Sequence, residues 1–170
     1  MMVPRPERTD RPVLAEGEQW VWDYPRPPSL EPVRQRVEVW VGSRKIVDTT
    51  SAHRVCETSH PPTYYLPPED VAMDSFEPAG GGSFCEWKGS ARYWTYRDDH
   101  ETLERVAWSY PNPTDTFVPI AGHLAMYIRG SMRATVGGLA ATPQPGGFYG
   151  GWVTPNLHGP FKGEPGTLHW

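Results

Sequence analysis

Residues 36–50 read RVEVWVGSRKIVDTT, and their pattern decides the fold class. Val37, Val39 and Val41 alternate with Glu38 and Trp40. A period of two puts the valines on one face of an extended chain, because successive side chains of a strand point to opposite sides. Gly42-Ser43 follows as a two-residue hairpin loop, and Ile46, Val47, Thr49 and Thr50 supply a β-branched return strand.

The same period recurs outward from this hairpin. AHRVCET (52–58) sets Ala52, Arg54 and Cys56 on one face and His53, Val55 and Glu57 on the other. Pro61-Pro62 turns the chain into TYYLP (63–67), a short aromatic strand. PPEDVAM (67–73) reads as a single helical turn, with Pro at its first positions and Glu69 and Asp70 in its first turn. GGGS (80–83) reads as a flexible loop. ARYWTYR (91–97) and ETLERVAWSY (101–110) read as a hairpin around Asp98-Asp99-His100. IAGHLAMYIRG (120–130) reads as a strand with Ile120, Leu124, Met126 and Ile128 on one face and His123, Ala125 and Tyr127 on the other; MRATV (132–136) is a weaker one.

No stretch carries a helical stripe of about twelve residues, so there is nothing to build a parallel α/β sheet. The prediction is an all-β or β-dominated fold, a compact antiparallel sheet domain with one short helical turn. Residues 1–33, with prolines at 4, 6, 12, 25, 27, 28 and 32, read as an N-terminal arm, because each Pro removes a donor and pushes its predecessor out of the helical region. Within it Trp20, Trp22 and Tyr24 alternate and mark a docked strip. Residues 34–136 are the β domain. Residues 137–170 are a Gly/Pro-rich extension without periodicity, expected to wrap that domain.

Composition narrows the function. A chain of 170 residues supports one domain with a true core. The net charge of -4 and the absence of Lys/Arg blocks argue against nucleic acid and against a membrane surface as partners. The start lacks an apolar signal core, and no apolar run nears the roughly 18 residues of a membrane span, so a cytoplasmic chain with Cys56 and Cys85 reduced is expected. The six His are scattered and no CxxC or HExxH occurs, so neither a metal site nor a cofactor is expected. Eight Trp in a small domain serve as core, as pocket wall, or as both.

The chemistry-bearing stretch is SFCEWKGSARYW (83–94). Cys85 and Lys88 can meet across a turn, and a nearby cation lowers a thiol from about 8.5 toward neutrality. The plainer reading is a half-buried Cys and a surface Lys whose stem covers a Trp. Glu57 shares a strand face with the inward Val55, so it either lines a cavity or ends its strand at solvent paired with Arg54 or Arg92. Trp94 with Tyr96, and Trp108 with Tyr110, are cross-strand aromatics that serve as core or as a platform for a ligand ring. His123 and Tyr127 look away from their aliphatic face, toward water or a cleft. WKG (87–89) is echoed by FKG (161–163), which taken alone reads as coincidence.

The series VGSRKIVDTTSAHRVCET (41–58), PPTYYLPPEDV (61–71), CEWKGSARYW (85–94), VAWSYPNP (106–113) and IAGHLAMY (120–127) resembles the family called domain of unknown function 427, from about Arg34 to Arg129. The tail GGWVT…GPFKGEPGT resembles an extension found in members of that family. The resemblance implies a compact β fold similar to the β-tent of methionine sulfoxide reductase B and Yippee-like proteins. The zinc of those relatives is not carried over, because their paired CxxC motifs are missing here. The family motifs fall on Glu57, Tyr65, Asp70, Cys85, Lys88, Trp94, Trp108 and Tyr110. A nucleotidyltransferase label is also attached to the family; such enzymes need paired acids for Mg²⁺, and this chain offers Asp98-Asp99 at a hairpin tip.

The expectation is thus one aromatic-walled pocket that binds or transforms a small metabolite. Glu57 would act as acid/base or charge partner, Lys88 as anion or carbonyl contact, and Cys85 as nucleophile. Tyr65, Trp94, Trp108, Tyr110, His123 and Tyr127 would contact the ligand. The alternative is a non-catalytic module that grips a ligand or partner chain with the same aromatics, with a nucleotidyltransferase behind both.

Overall fold

The structure is a computed structural model that describes residues 1–85 and 88–170. Part of the turn read between Cys85 and Lys88 falls on Glu86 and Trp87, outside the described residues. In chain order the strands are β1 (Gln19–Trp20), β2 (Ser29–Val33), β3 (Val37–Val41), β4 (Arg44–Thr49), β5 (Ala52–Cys56), β6 (Thr63–Tyr65), β7 (Phe76–Cys85), β8 (Gly89–Arg97), β9 (Thr102–Ser109), β10 (Ala125–Met126), β11 (Met132–Val136), β12 (Leu139–Pro143), β13 (Trp152–Val153) and β14 (Leu157–His158). The fold is β-dominated. The turn read in PPEDVAM is the 3-10 turn Pro68–Asp70, and other short 3-10 segments lie at Arg8–Asp10, Val21–Asp23, Met73–Ser75 and Asp115–Ile120.

Three antiparallel sheets build the body: β13-β12-β11-β3-β4, β10-β9-β8-β7 and β2-β5-β6. A short parallel pair joins β1 to β14. β3 is an interior strand of the five-stranded sheet, and its valine face suits it to that place. Val37, Val39 and Val41 are buried, whereas Trp40 lies on the solvent side with Lys45 and Arg133 over its ring. β11 pairs with β3 along its whole length, so the faintly patterned MRATV is an interior strand.

Two apolar clusters fill the body. The larger takes the β3 and β4 valines with Leu66, Val106, Leu124, Met126 and Trp152. The smaller is aromatic: Tyr65, Trp108, Tyr110 and Phe117 around Val55, Ile120 and Ala125. β10 runs between them, with Met126 facing one and Ala125 the other, and both are fully buried.

Three expectations change. The strand read over 120–130 shrinks to the two residues of β10 with Leu124 bridged to Leu66, because Ile120 ends a 3-10 turn and Gly122, at φ 72°, donates to the Tyr110 carbonyl and turns the chain. The GGGS stretch is not a loop but part of β7, with a register shift between Pro78 and Gly82. Gly81 sits at φ 83°, where the guanidinium of Arg105 occupies the place of a Cβ. The tail carries β12, β13 and β14; β12 escapes sequence reading because Ala141 is its one buried residue.

Trp152 is the tail's anchor. Its ring stacks on Tyr64 at 5.2 Å, and its Nε1–H donates to the Met126 carbonyl at 2.8 Å. Trp152→Ala is expected to lower stability by about 3–5 kcal/mol, read as a lower urea midpoint in a single transition. Leu139→Ala, at an exposed position of the same tail, should change it by less than about 0.5 kcal/mol. Equal effects of the two would make residues 137–170 an attachment that the fold does not need.

Candidate ligand pocket

A cavity of about 650 Å³ opens over the smaller, aromatic cluster. Strand register aims its walls. Trp108 of β9 lies opposite Tyr93 of β8 on one side and Ala125 of β10 on the other, so all three share a sheet face. The small Ala125 leaves room for the Tyr127 ring, whose centroid is 4.7 Å from that of Trp108. Tyr65 and Tyr110 lie 6.4 Å apart among the lining residues. The chain between β12 and β13 crosses as a further wall. A Cβ on Gly150 would fall 2.1 Å from the Trp108 ring, and one on Gly151 would fall 2.5 Å from the Pro61 carbonyl. Glycine is therefore a condition of that close approach. Phe84 and Phe148 stand exposed among the lining residues.

The polar groups come from a turn just past β5. The His60 N–H donates to the Glu57 carbonyl at 3.0 Å, closing the turn. Ser59, at φ 75°, takes part from both backbone sides: its N–H donates to the Val21 carbonyl, and its carbonyl accepts from the Lys162 N–H. The N-terminal segment buttresses this turn and brings in Arg26, which donates to the Thr58 carbonyl at 3.0 Å and pairs with Glu57 at 3.3 Å.

His60 faces Glu57 with Nε2 at 4.0 Å from the carboxylate and Nδ1 at 3.0 Å from the Gln144 amide nitrogen. Gln144 is buried; its amide nitrogen also donates to the Lys162 carbonyl at 2.8 Å, and its oxygen accepts from the Gly151 N–H at 3.0 Å. Lys162 is itself buried and donates to the Trp170 main-chain oxygen at 2.9 Å. Lys88 sits 5.7 Å from the ring centres of Tyr110 and Phe117, and Arg129 stacks 4.5 Å over Tyr127.

Charge in the cavity is opposite to that of the chain. Lys88, Arg129 and Lys162 line it, with Glu57 as the acid among its described lining residues. His60 registers the imbalance: burial first, then Lys162, Arg26 and Lys88, push its pKa down to about 3. Burial, and then Arg26, lower Lys162. Burial raises the phenols of Tyr65 and Tyr110, so both stay protonated donors at neutral pH.

Of the residues picked from sequence, Glu57, Tyr65, Cys85, Lys88, Trp108, Tyr110 and Tyr127 all line this cavity. Trp94 does not; it packs against the larger core and donates Nε1–H to Ser109 Oγ at 3.0 Å. His123 does not either; its ring meets His53 edge-on at 5.8 Å. Asp70 holds Thr49 through a 2.7 Å hydrogen bond, which ties the Pro68–Asp70 turn to β4. Cys56 is buried apart from the cavity, its thiol 3.2 Å from the Glu31 carboxylate and pushed up to about 12, mainly by burial.

Sequence reasoning missed Arg26, His60, Tyr93, Gln144, Phe148, Tyr149 and Lys162. One signal was available: the WKG/FKG echo, whose two lysines, Lys88 and Lys162, line the same cavity. The Asp98-Asp99 tip lies elsewhere, and Asp98 already accepts from the Tyr96 hydroxyl and from the N–H groups of His100 and Glu101. Among the described residues no group of three or more His, Cys, Asp or Glu is arranged to hold a metal ion, and no helix is long and apolar enough to cross a membrane.

The curated proteins contain no match to this chain. A family model described as a domain of unknown function, DUF427 (NTP_transf_9), matches residues 29–137, which include the cavity residues Glu57, Tyr65, Cys85, Tyr93 and Trp108. Arg26, Gln144, Phe148, Tyr149 and Lys162 stand outside the matched stretch. With well over half of its length accounted for in this way, the chain belongs to the DUF427 family.

Proposed function

We propose that the cavity binds a small planar molecule that carries an anionic oxygen group. The observation behind this reading is the pairing of a cation-dominated lining, Lys88, Lys162 and Arg129 against Glu57, with walls of Trp108, Tyr110, Tyr127 and Tyr93. A flat ring gains from stacking on such walls, and an oxyanion gains from cations whose hydration has already been partly stripped. Glu57 serves here as the charge partner of Arg26. The planar part of the ligand enters past Phe84 and Phe148.

A catalytic version of the same reading is favoured by Cys85, which lines the cavity with Lys88. Binding and catalysis separate at this thiol. A Cys85→Ser protein that keeps ligand affinity but loses turnover of that ligand makes Cys85 the nucleophile. One that keeps both makes the site a binding module or a catalyst that does not use the thiol.

Naphthalene-2-sulfonate, a flat anion, should bind in calorimetry, and the neutral naphthalene-2-sulfonamide should bind about 10-fold more weakly. Lys88→Met should weaken the sulfonate by about 10-fold and leave the sulfonamide unaffected. Phe148→Ala should weaken both by about 5-fold, since the lost contact is stacking. Equal affinity for the two probes would overturn the anionic half of the reading, and no binding of either would overturn the whole.

The same electrostatics sets an acid limit. The unfolded chain takes up a proton at His60 as pH falls through about 6.5, whereas the folded chain resists until about 3. His60 thus favours the fold fully above pH 6.5, and that contribution is lost progressively between 6.5 and 3. His60→Gln should flatten the fall of the urea midpoint between about pH 6.5 and pH 4. Parallel curves for the two proteins would show that His60 protonates freely in the folded state.

A further inference from the structure

We propose that His60 meets the ligand as a neutral imidazole, donating from Nε2–H to one of the ligand's anionic oxygens, and that Gln144 fixes this tautomer. The inference rests on the pocket reading above and narrows it: the atom facing His60 is a deprotonated oxygen, not a protonated acid or an amine.

The tautomer follows from hydrogen-bond direction. The Gln144 amide can be placed one way round, because its oxygen takes the Gly151 N–H and its nitrogen faces the Lys162 carbonyl. Reversed, it would set a donor against a donor and an acceptor against an acceptor. The NH₂ group only donates, so His60 Nδ1, 3.0 Å away, must be the acceptor. The ring proton is then on Nε2. The Gln144 side chain is buried, and a Cβ on Gly151 would fall 2.6 Å from its oxygen, so the clamp has no slack on that side.

The Nε2–H is left without a hydrogen-bond acceptor among the described residues. Glu57 is 4.0 Å away, too far to accept, and is held by Arg26 at 3.3 Å. The groups around the ring are the carboxylate of Glu57, the cations Arg26, Lys88 and Lys162, the Gln144 amide and the Tyr149 ring at 4.8 Å. Burial and three cations against one carboxylate keep the imidazole neutral near pH 7. A donor that cannot also accept, set among cations, selects an acceptor that bears negative charge. Gln144 acts here as a positioning residue, and it lies beyond the stretch that defines the family. The family domain therefore supplies the imidazole, and the following segment supplies its proton pattern.

The test is ¹⁵N–¹H correlation of the imidazole rings in the full chain, free and with naphthalene-2-sulfonate. His60 is assigned by loss of its signals in His60→Gln, or, if that variant does not fold, through its contact with the Tyr149 ring. The expected result is a neutral ring protonated at Nε2 from pH 8 down to pH 5, with the Nε2–H signal displaced by the sulfonate. Gln144→Glu, which offers an acceptor in place of the donor, should move the proton to Nδ1 and raise the midpoint of titration into the measured range. A ring protonated at Nδ1 in the unaltered free protein, or charged by pH 6, overturns the tautomer. Sulfonate that binds with a Lys88-dependent affinity yet leaves His60 Nε2 unmoved overturns the contact and spares the pocket. Sulfonate that does not bind at all removes the pocket reading and this contact with it.

Discussion

One indole joins the three main sheets. Trp152 belongs to β13 and so to the five-stranded sheet; its ring lies on Tyr64 of the three-stranded sheet, and its N–H reaches the Met126 carbonyl of the four-stranded one. Its own backbone N–H donates to the Pro62 carbonyl at 2.9 Å. A buried indole must find an acceptor for its proton, and a large ring must find flat neighbours. Meeting both demands at one point fixes where the three sheets stand relative to one another. It also fixes the chain on either side of Trp152, and that chain walls the cavity.

The pocket is thus a by-product of how the tail docks. β12 ends at Pro143, Gln144 is buried next to it, and the chain must cover the distance to Trp152 by passing over Trp108 and Pro61. Only glycine at 150 and 151 permits that passage, since any Cβ there meets ring or backbone atoms. On the far side, Gly146 and Gly163 approach so closely that a Cβ on either would overlap the other segment. This contact holds the segment of Lys162 beside that of Gln144. The glycine richness of the tail is therefore a packing requirement and not a sign of looseness.

The sequence showed the sheet and hid the roof. β3 announces itself because it buries one face, and period two is the direct trace of one-sided burial, whereas β4, β8 and β9 bury adjacent residues and are legible from their β-branched and aromatic content. β10 misleads, because both of its faces are buried against different clusters, so alternation carries no information about which side is core. β12 is silent for the opposite reason, with most of its side chains in solvent. Of the site, the residues on patterned strands were legible: Glu57 follows the inward Val55, and Trp108 shares its face with neighbouring aromatics. His60 and Gln144 were not legible. Their roles depend on hydrogen bonds between segments 84 residues apart, and no local pattern encodes such a distance.

Two of the cavity's cations, Lys162 and Arg129, are held by internal oxygens. Lys162 donates to the Trp170 oxygen, Arg129 donates to the Glu104 and Arg105 carbonyls, and Arg26, just behind the lining, is held by Glu57 and the Thr58 carbonyl. These contacts keep the lining ordered before any ligand arrives, which lowers the entropic cost of binding. On the proposed reading they would also compete with the ligand. An incoming anion shares cations that already have partners, so each contact gains less than a bare cation would give. A weakly charged or poorly shaped anion then gains too little to displace water, whereas one that also stacks on Trp108 and Tyr127 and accepts from His60 gains from all three. Glu57 strengthens this filter, because its carboxylate repels any anion placed without regard to the donors around it. On the proposed reading, the arrangement would trade affinity for selectivity.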